Sequence, residues 1–369
     1  MTESLARTPL HAEHLALGGR MVPFAGFEMP VQYPTGITEE HRAVREAAGL
    51  FDVSHMGEFE VRGADALALV QRVTVNDASR VEVGQAQYSA MVDESGGIID
   101  DLIVYRFADR WMLVVNASNR EKDWAWVSRH AEGLDVELAD RSDEIALLAL
   151  QGPGARAILA ELTDTDLDAV GYYRFVEGGV AGVECVISAT GYTGEDGFEL
   201  YLPSEGAVAV WRTLLEAGAS DGLIPAGLGA RDSLRLEMGY ALYGNDLDAE
   251  HTPLESGLGW ITKLDKGEFV GRERLAAQKE AGVERRLVGL VLTERGFPRP
   301  GYPIVVDGEP VGVVTSGTMS PSLGLGIAMG YVAAAHAAAG SAVAIEIRGK
   351  GVAAEVKRPP FYTEGSIRR

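Results

Sequence analysis

The sequence predicts an α+β fold with mostly antiparallel sheets and a small all-β unit at its C-terminal end. Three observations lead there. Strand-like runs do not alternate regularly with crossover helices, which argues against a parallel α/β sheet. Short apolar runs come in pairs divided by a few turn residues, the pattern of hairpins. After about residue 284, strands joined by tight turns take over from helix-forming stretches.

Taken in order, residues 36–48 (GITEEHRAVREAA) read as a helix, with Thr38 as N-cap and Gly49 as stop. Strand-like runs follow at 57–62 and 87–92. Residues 98–107 and 111–116, split by Ala108, Asp109 and Arg110, suggest a hairpin. Ser118 or Asn119 could cap a helix over 120–131, where Trp124, Val127 and His130 fall at helical spacing. A buried strand (IALLAL, 145–150) leads through Gly152, Pro153 and Gly154 into a helix, ARAILAEL. Residues 180–202 read as two strands, VAGVECVISAT and FELYL, and helices are expected at 205–217 and 226–238. Beyond 284 come LVGLVLT, PIVVDGEPVGVVTSG and AVAIEIRGKGVAAEV. Asp307 followed by Gly308 between apolar runs is a strong hairpin signal. The last seven residues, TEGSIRR, are expected to fray.

A chain of 369 residues suggests two or three domains. With 46% hydrophobic and 24% charged residues it can bury a core without disulfides or metals. The one cysteine, Cys185, excludes a disulfide framework and any multi-cysteine metal site. It lies among Val183, Val186 and Ile187 and reads as a small buried hydrophobe. The net charge of −21, with no basic block, argues against nucleic acid and disfavours an anionic membrane surface. A few arginines in a cleft can still hold an anionic small molecule. The N-terminus lacks the apolar core of a secretory signal and no long apolar stretch is unbroken, so a soluble cytoplasmic protein is expected.

Several motifs are missing or out of context. There is no phosphate-binding G-x-x-x-x-G-K-[ST], no H-E-x-x-H and no G-x-S-x-G. Gly324 and Gly326 sit in a β-rich stretch without the strand–turn–helix a dinucleotide site needs. His11 and His14 lie three apart with no third ligand nearby and are expected at the surface; no metal is expected.

Four segments are dense in polar groups: VPFAGFEMPVQY (22–33), GGIIDDLIVYR (96–106), ATGYTGEDGFELY (189–201) and ARDSLRLEMGYALYGNDL (230–247). Together with DVSHMGEFEVRG (52–63), VVNASNREKD (114–123), LGWITKLDKGEFVGRE (258–273) and KRPPFY (357–362), they resemble the glycine cleavage T-protein family of aminomethyltransferases over nearly the whole chain. The resemblance implies transfer of an aminomethyl group's methylene from the lipoylated H-protein to tetrahydrofolate, with release of ammonia and formation of 5,10-methylenetetrahydrofolate. It implies a three-domain cloverleaf: 1–55 with 141–245, 56–140 with 246–284, and a barrel or jelly-roll-like 285–369. Two other readings remain open within the same fold. One is a tetrahydrofolate-dependent demethylase of a small substrate; the other is a folate-binding accessory protein without catalysis.

The residue types suit such chemistry. Asp100 and Asp101 interrupt an apolar strand. Side chains alternate across a strand, so the two carboxylates should face apart and not form a close pair. A carboxylate embedded there needs a partner. On pattern alone Asp101 could be structural; the resemblance implies that it is the catalytic acid–base group. Phe198, Leu200 and Leu202 should face the core, leaving Glu199 and Tyr201 on the other face. By resemblance Glu199 would bind the amino-amidine edge of a pterin, whose two parallel N–H groups match one carboxylate. The resemblance also implies that Arg231 meets the pterin and that Tyr88, Tyr192 and Tyr240 line the folate site, where aromatic faces stack on a flat ring. It adds Asn116 and Met56, and Lys357 and Arg358, before Pro359 and Pro360, could meet the folate tail or the acidic carrier protein.

Overall fold

The structure, a computed structural model, describes residues 5–367. It is α+β, built on two mostly antiparallel sheets and a closed six-stranded barrel. The first sheet runs in the order Phe175–Val180, Val183–Ser188, Gly197–Pro203, Ile145–Gln151, Ala48–Asp52, Leu223–Pro225. Its neighbours are antiparallel except the last pair. One face, with Leu50, Leu148, Leu150, Phe198 and Leu200, packs on Trp211 and Leu214 of the helix Ala207–Ala217. The opposite face, with Phe51, Leu147, Ala149 and Tyr201, meets Ala230 and Leu234 of the helix Leu228–Met238. Burial on both faces explains the unbroken apolar run 145–150.

The second sheet runs Gln85–Val92, Ile98–Arg106, Trp111–Val115, Gly57–Arg62, Glu137–Asp140. Leu69, Val70 and Val127, from the helices Ala66–Val73 and Arg120–Ala131, cover one side. On the other side Tyr105, Met112 and Val114 join Phe51, Leu147 and Tyr201 in one core, so the two sheets pack against each other. The turn that starts Ile98–Arg106 is tight. Asp93 accepts from the N–H groups of Ser95 and Gly97, Gly96 has φ 85°, and a Cβ on Gly97 would lie 2.1 Å from the Ala249 carbonyl oxygen. Only glycine fits that approach.

The barrel closes through Arg285–Leu292, Gly326–Ala333, Glu309–Met319, Pro303–Val306, Ala342–Ile347 and Lys350–Lys357 around Leu290, Ile304, Val314, Ile345 and Val356. Asp307 and Gly308 both have positive φ, 52° and 86°, as a tight hairpin turn of this type requires. The barrel is joined to the helix Leu228–Met238 by buried polar groups. Arg235 donates to Ser316 (2.8 Å) and to Asp246 (2.7 Å), and Glu237 accepts from the Ser322 hydroxyl (2.9 Å). No helix among the described residues is long and apolar enough to cross a membrane.

Several sequence expectations need correction. The first long helix is Ile37–Glu46 with Gly36, at φ 82°, in the N-cap position in place of Thr38. Glu40 closes that corner, accepting from the backbone N–H of Tyr33 and Gly227. The strand expected from residue 180 starts at Val183. Ala181 and Gly182, both at positive φ, turn the chain back from an unforeseen strand, Phe175–Val180. The helix Arg272–Ala281 and the strand Gly326–Ala333, hidden in an alanine-rich run, were also missed. His11 and His14 are buried. His14 sits between Asp52 (2.8 Å) and the Tyr33 hydroxyl (2.8 Å), and His11 bonds Glu28 (2.8 Å). Their partners lie 17–38 residues away, so sequence spacing did not reveal them. The tail is anchored at least to residue 367: Ser366 donates to Glu195, and the Ile367 N–H reaches Gly194.

Candidate functional site

Asp101 is half-buried on the strand Ile98–Arg106. The adjacent strand Gln85–Val92 brings Tyr88, whose hydroxyl donates to Asp101 Oδ2 at 2.9 Å. Asn116, just past Trp111–Val115, donates through Nδ2 to Asp101 Oδ1 at 2.9 Å. Burial, then the negative charge of Asp100, pushes the Asp101 carboxyl up to about 7, against the opposing pull of the Tyr88 and Asn116 hydrogen bonds. A group with that pKa can hold or release a proton near neutrality.

Asp100 faces the other way and is fully buried, as strand alternation requires. The two carboxylates are nevertheless connected. Asn116 Nδ2 reaches Asp100 Oδ1 and Asp101 Oδ1, both at 2.9 Å. Alternation predicts where side chains leave a strand, but not that an amide just past the end of the next strand can bridge the two.

The first sheet supplies Glu199, 7% exposed, from Gly197–Pro203. The face opposite Phe198 and Leu200 is not solvent; it is the core the sheets share. Glu199 Oε2 accepts from Thr190 Oγ1 at 2.5 Å, and Thr190 is held in turn by Ser188 and Tyr105. Burial raises the Glu199 carboxyl, opposed by the Thr190 bond and the charge of Arg231. Arg231 lies in the first turns of Leu228–Met238. Burial lowers it, and Glu199 is the first charge opposing that shift. Its guanidinium sits 4.7 Å over the Tyr192 ring and makes no hydrogen bond or ion pair among the described residues. Tyr192 stacks on Tyr240 at 5.7 Å and 23°, and its hydroxyl donates to the Ala241 carbonyl.

The charges of these groups also act on one another. Asp101 acts on the Tyr192 hydroxyl, and Tyr192 on that of Tyr88. The arrangement therefore offers two stacked aromatic rings, a guanidinium with unused donors, a carboxylate with unused lone pairs and an acid near neutrality. Such a set can hold a flat, hydrogen-bonding heterocycle and handle one proton beside it.

Met56 packs at the margin of the shared core. Arg358 is exposed; the next residue, Pro359, packs on Gly239, where an added Cβ would lie 2.1 Å from Pro359 Cβ, one residue from Tyr240. Three residues near the site were missed by sequence reasoning. Trp260 is 64% exposed and stacks on Tyr88 at 6.2 Å and 27°. It lay in a quoted motif, but nothing local ties residue 260 to residue 88. Thr190 and Asp123 were likewise not singled out, and their partners come from other strands.

The GCVT N-terminal domain matches residues 10–266, and the Glycine cleavage T-protein C-terminal barrel domain matches residues 285–363. An aminomethyltransferase of Desulfitobacterium hafniense (strain DSM 10664 / DCB-2) is 52% identical, over 98% of this chain and 99% of its own length. One from Moorella thermoacetica (strain ATCC 39073 / JCM 9320) is 53% identical, over 97% and 98%. The crystal structure of glycine cleavage system aminomethyltransferase T from Bartonella henselae superposes with a TM-score of 0.92 at 38% identity, covering 99% of each chain.

Proposed function

The chain belongs to the glycine cleavage T-protein family, and from that premise we propose how its residues carry the reaction. It is an aminomethyltransferase of the glycine cleavage system. The acceptor is tetrahydrofolate and the donor is the aminomethyl group on the lipoyl arm of the H-protein. The observation that carries this reading is the Glu199–Arg231–Tyr192 cluster. Arg231 has unused donors beside a buried carboxylate that accepts from Thr190, next to a stacked tyrosine pair. That is the complement of a pterin, with an amino-amidine edge for Glu199, a carbonyl for Arg231 and a ring face for the tyrosines.

Asp101 is the acid–base group. Tyr88 and Asn116 each hold one of its oxygens, so its carboxylate keeps one orientation. In its ionised form it stabilises positive charge that develops as the amine departs; near neutrality it can also carry one proton. Tyr88 and Asn116 therefore position Asp101 beside the folate. Met56 closes the apolar wall, and Arg358, with Lys357, meets the negative folate tail. Holding the folate nucleophile and the aminomethyl carbon in register is worth several kcal/mol in well-oriented systems.

The partition into 1–55 with 141–245, 56–140 with 246–284, and 285–369 belongs to the same reading. Pairing of Ala48–Asp52 with Ile145–Gln151 supports it. So does the packing of Leu247, Leu258, Ile261 and Phe269 on Val92 and Ile98. Purified protein given an aminomethyl-loaded lipoyl carrier and tetrahydrofolate should release ammonia and methylenetetrahydrofolate in equal amounts. No ammonia, or ammonia independent of folate, would overturn the assignment of donor and acceptor.

A further inference from the structure

Behind Asp101 lies a second carboxyl pair that the mechanism above does not use. Asp100 gathers three N–H bonds: Asn116 N to Oδ2 at 2.9 Å, Asn116 Nδ2 to Oδ1 at 2.9 Å, and Asn119 Nδ2 to Oδ1 at 2.6 Å. Asn119 stands at the N-cap of Arg120–Ala131 but makes no side-chain cap bond, because its amide is directed to Asp100. The same helix presents Asp123, fully buried, and neither of its carboxyl oxygens meets a donor among the described residues. Asp123 faces Asp100 at hydrogen-bonding range. Lys122 does not separate the two acids; its ammonium is bonded to the Ile99 carbonyl (2.6 Å) and the Tyr243 hydroxyl (2.9 Å).

Two buried carboxylates in contact with no donor between them repel strongly, so the contact requires a proton. We propose that Asp123 is protonated and donates to Asp100, and that this acid pair is a positioning device that locks the Asn116 amide, and through it the Asp101 carboxylate, in one orientation. In the chain of bonds the Asp123 O–H donates to Asp100, and the Asn116 Nδ2 donates both to Asp100 Oδ1 and to Asp101 Oδ1. Burial followed by the Asp100 charge pushes the Asp123 carboxyl up to about 11, in agreement with the geometry. The titratable groups facing the pair are Asp101 on the strand, Tyr88 beyond it, Lys122 on the helix and Tyr243 from the segment after Leu228–Met238. The inference rests on the reading of Asp101 as the acid–base group.

The test compares Asp123→Asn, Asp123→Ala and Asp101→Asn in the transfer assay across pH. Asp123→Asn replaces a neutral O–H donor by a neutral N–H donor. Its turnover should stay within about threefold of wild type, and the acid limb of the pH profile should not move. Asp123→Ala removes the donor. Turnover should fall at least about tenfold while KM for folate changes by less than about threefold, as for lost positioning. Asp123→Leu, of the same branched shape without a donor, replaces it if the alanine variant does not fold. Infrared difference spectra should show a protonated carboxyl band that Asp123→Asn loses. An acid limb displaced by about a unit in Asp123→Asn would mean that a charge had been removed, and would overturn the proposal. So would equal losses in the Asn and Ala variants, or full turnover in Asp123→Ala. A fully active Asp101→Asn would instead sink the reading of the site itself.

Discussion

Replacing Glu237 by Gln tests the seam between the barrel and the helix that carries Arg231. Glu237 sits near the end of Leu228–Met238 with a fully buried side chain. It accepts from Arg45 (2.7 and 3.2 Å), from the Ser322 N–H (3.1 Å) and hydroxyl (2.9 Å), and from Ser320. Burial alone would raise its carboxyl. His41, Ser320 and Arg45 more than offset that and hold it at about 2, below the ordinary 4.5. A folded-state pKa below the unfolded one stabilises the fold at pH above 4.5, and the benefit is lost as pH falls toward 2. The gap corresponds to about 3 kcal/mol at neutral pH and about 2 kcal/mol at about pH 3.5. Arg45 is not stranded in the variant, because it also bonds Glu195 (2.7 Å) and the Thr193 carbonyl (2.7 Å). For a chain of 369 residues unfolding as a unit, about 3 kcal/mol lowers Tm by about 4 °C. Calorimetry of both proteins at neutral and acid pH should show that difference, narrowing in acid. Equal midpoints at neutral pH, or a gap that widens in acid, would refute the argument.

Other outcomes follow from single features. Gly97→Ala drives a Cβ into the Ala249 carbonyl oxygen at 2.1 Å, so it should cost about 1–3 kcal/mol in urea denaturation and reduce turnover with it. Cys185 is 5% exposed, and burial pushes its thiol up to about 11. It should resist thiol reagents at neutral pH until the protein unfolds; rapid labelling of native protein would contradict its burial. Glu199→Ala should weaken tetrahydrofolate binding at least about tenfold by calorimetric titration, a bidentate charged contact being worth more than about 1.4 kcal/mol.

Much of the fold was legible because its signals are local. The hairpin around Asp307 and Gly308, the strand Ile98–Arg106 and the change of character near residue 284 depend on turn chemistry and short apolar runs within a few residues. What failed was non-local. The pattern put Glu199 opposite Phe198 and Leu200 but gave no sign that this face is buried, because nothing nearby reveals the second sheet that covers it through Tyr105 and Val114. His14 looked like a surface residue because its partners, Asp52 and Tyr33, come from other elements. Asn119 looked like a cap because capping is the usual role of that residue type, whereas here Asp100 claims its amide. In the site, pattern alone left Asp101 open between a structural and a functional role and gave Glu199 and Arg231 no role. The resemblance selected them, and the structure adds the distances that join Asp101 to Tyr88 and Asn116. The stacking of Trp260 on Tyr88 was beyond reach, since 172 residues separate them.

The central claim is that Asp101, held by Tyr88 and Asn116, is the group that handles charge beside the transferred carbon. Single-turnover transfer from loaded carrier to tetrahydrofolate by Asp101→Asn, with folate affinity measured on the same preparation, tests it most directly. The account predicts turnover reduced by at least about tenfold with folate affinity within about threefold of wild type. Near-normal turnover, or a loss that follows weakened folate binding alone, would contradict it.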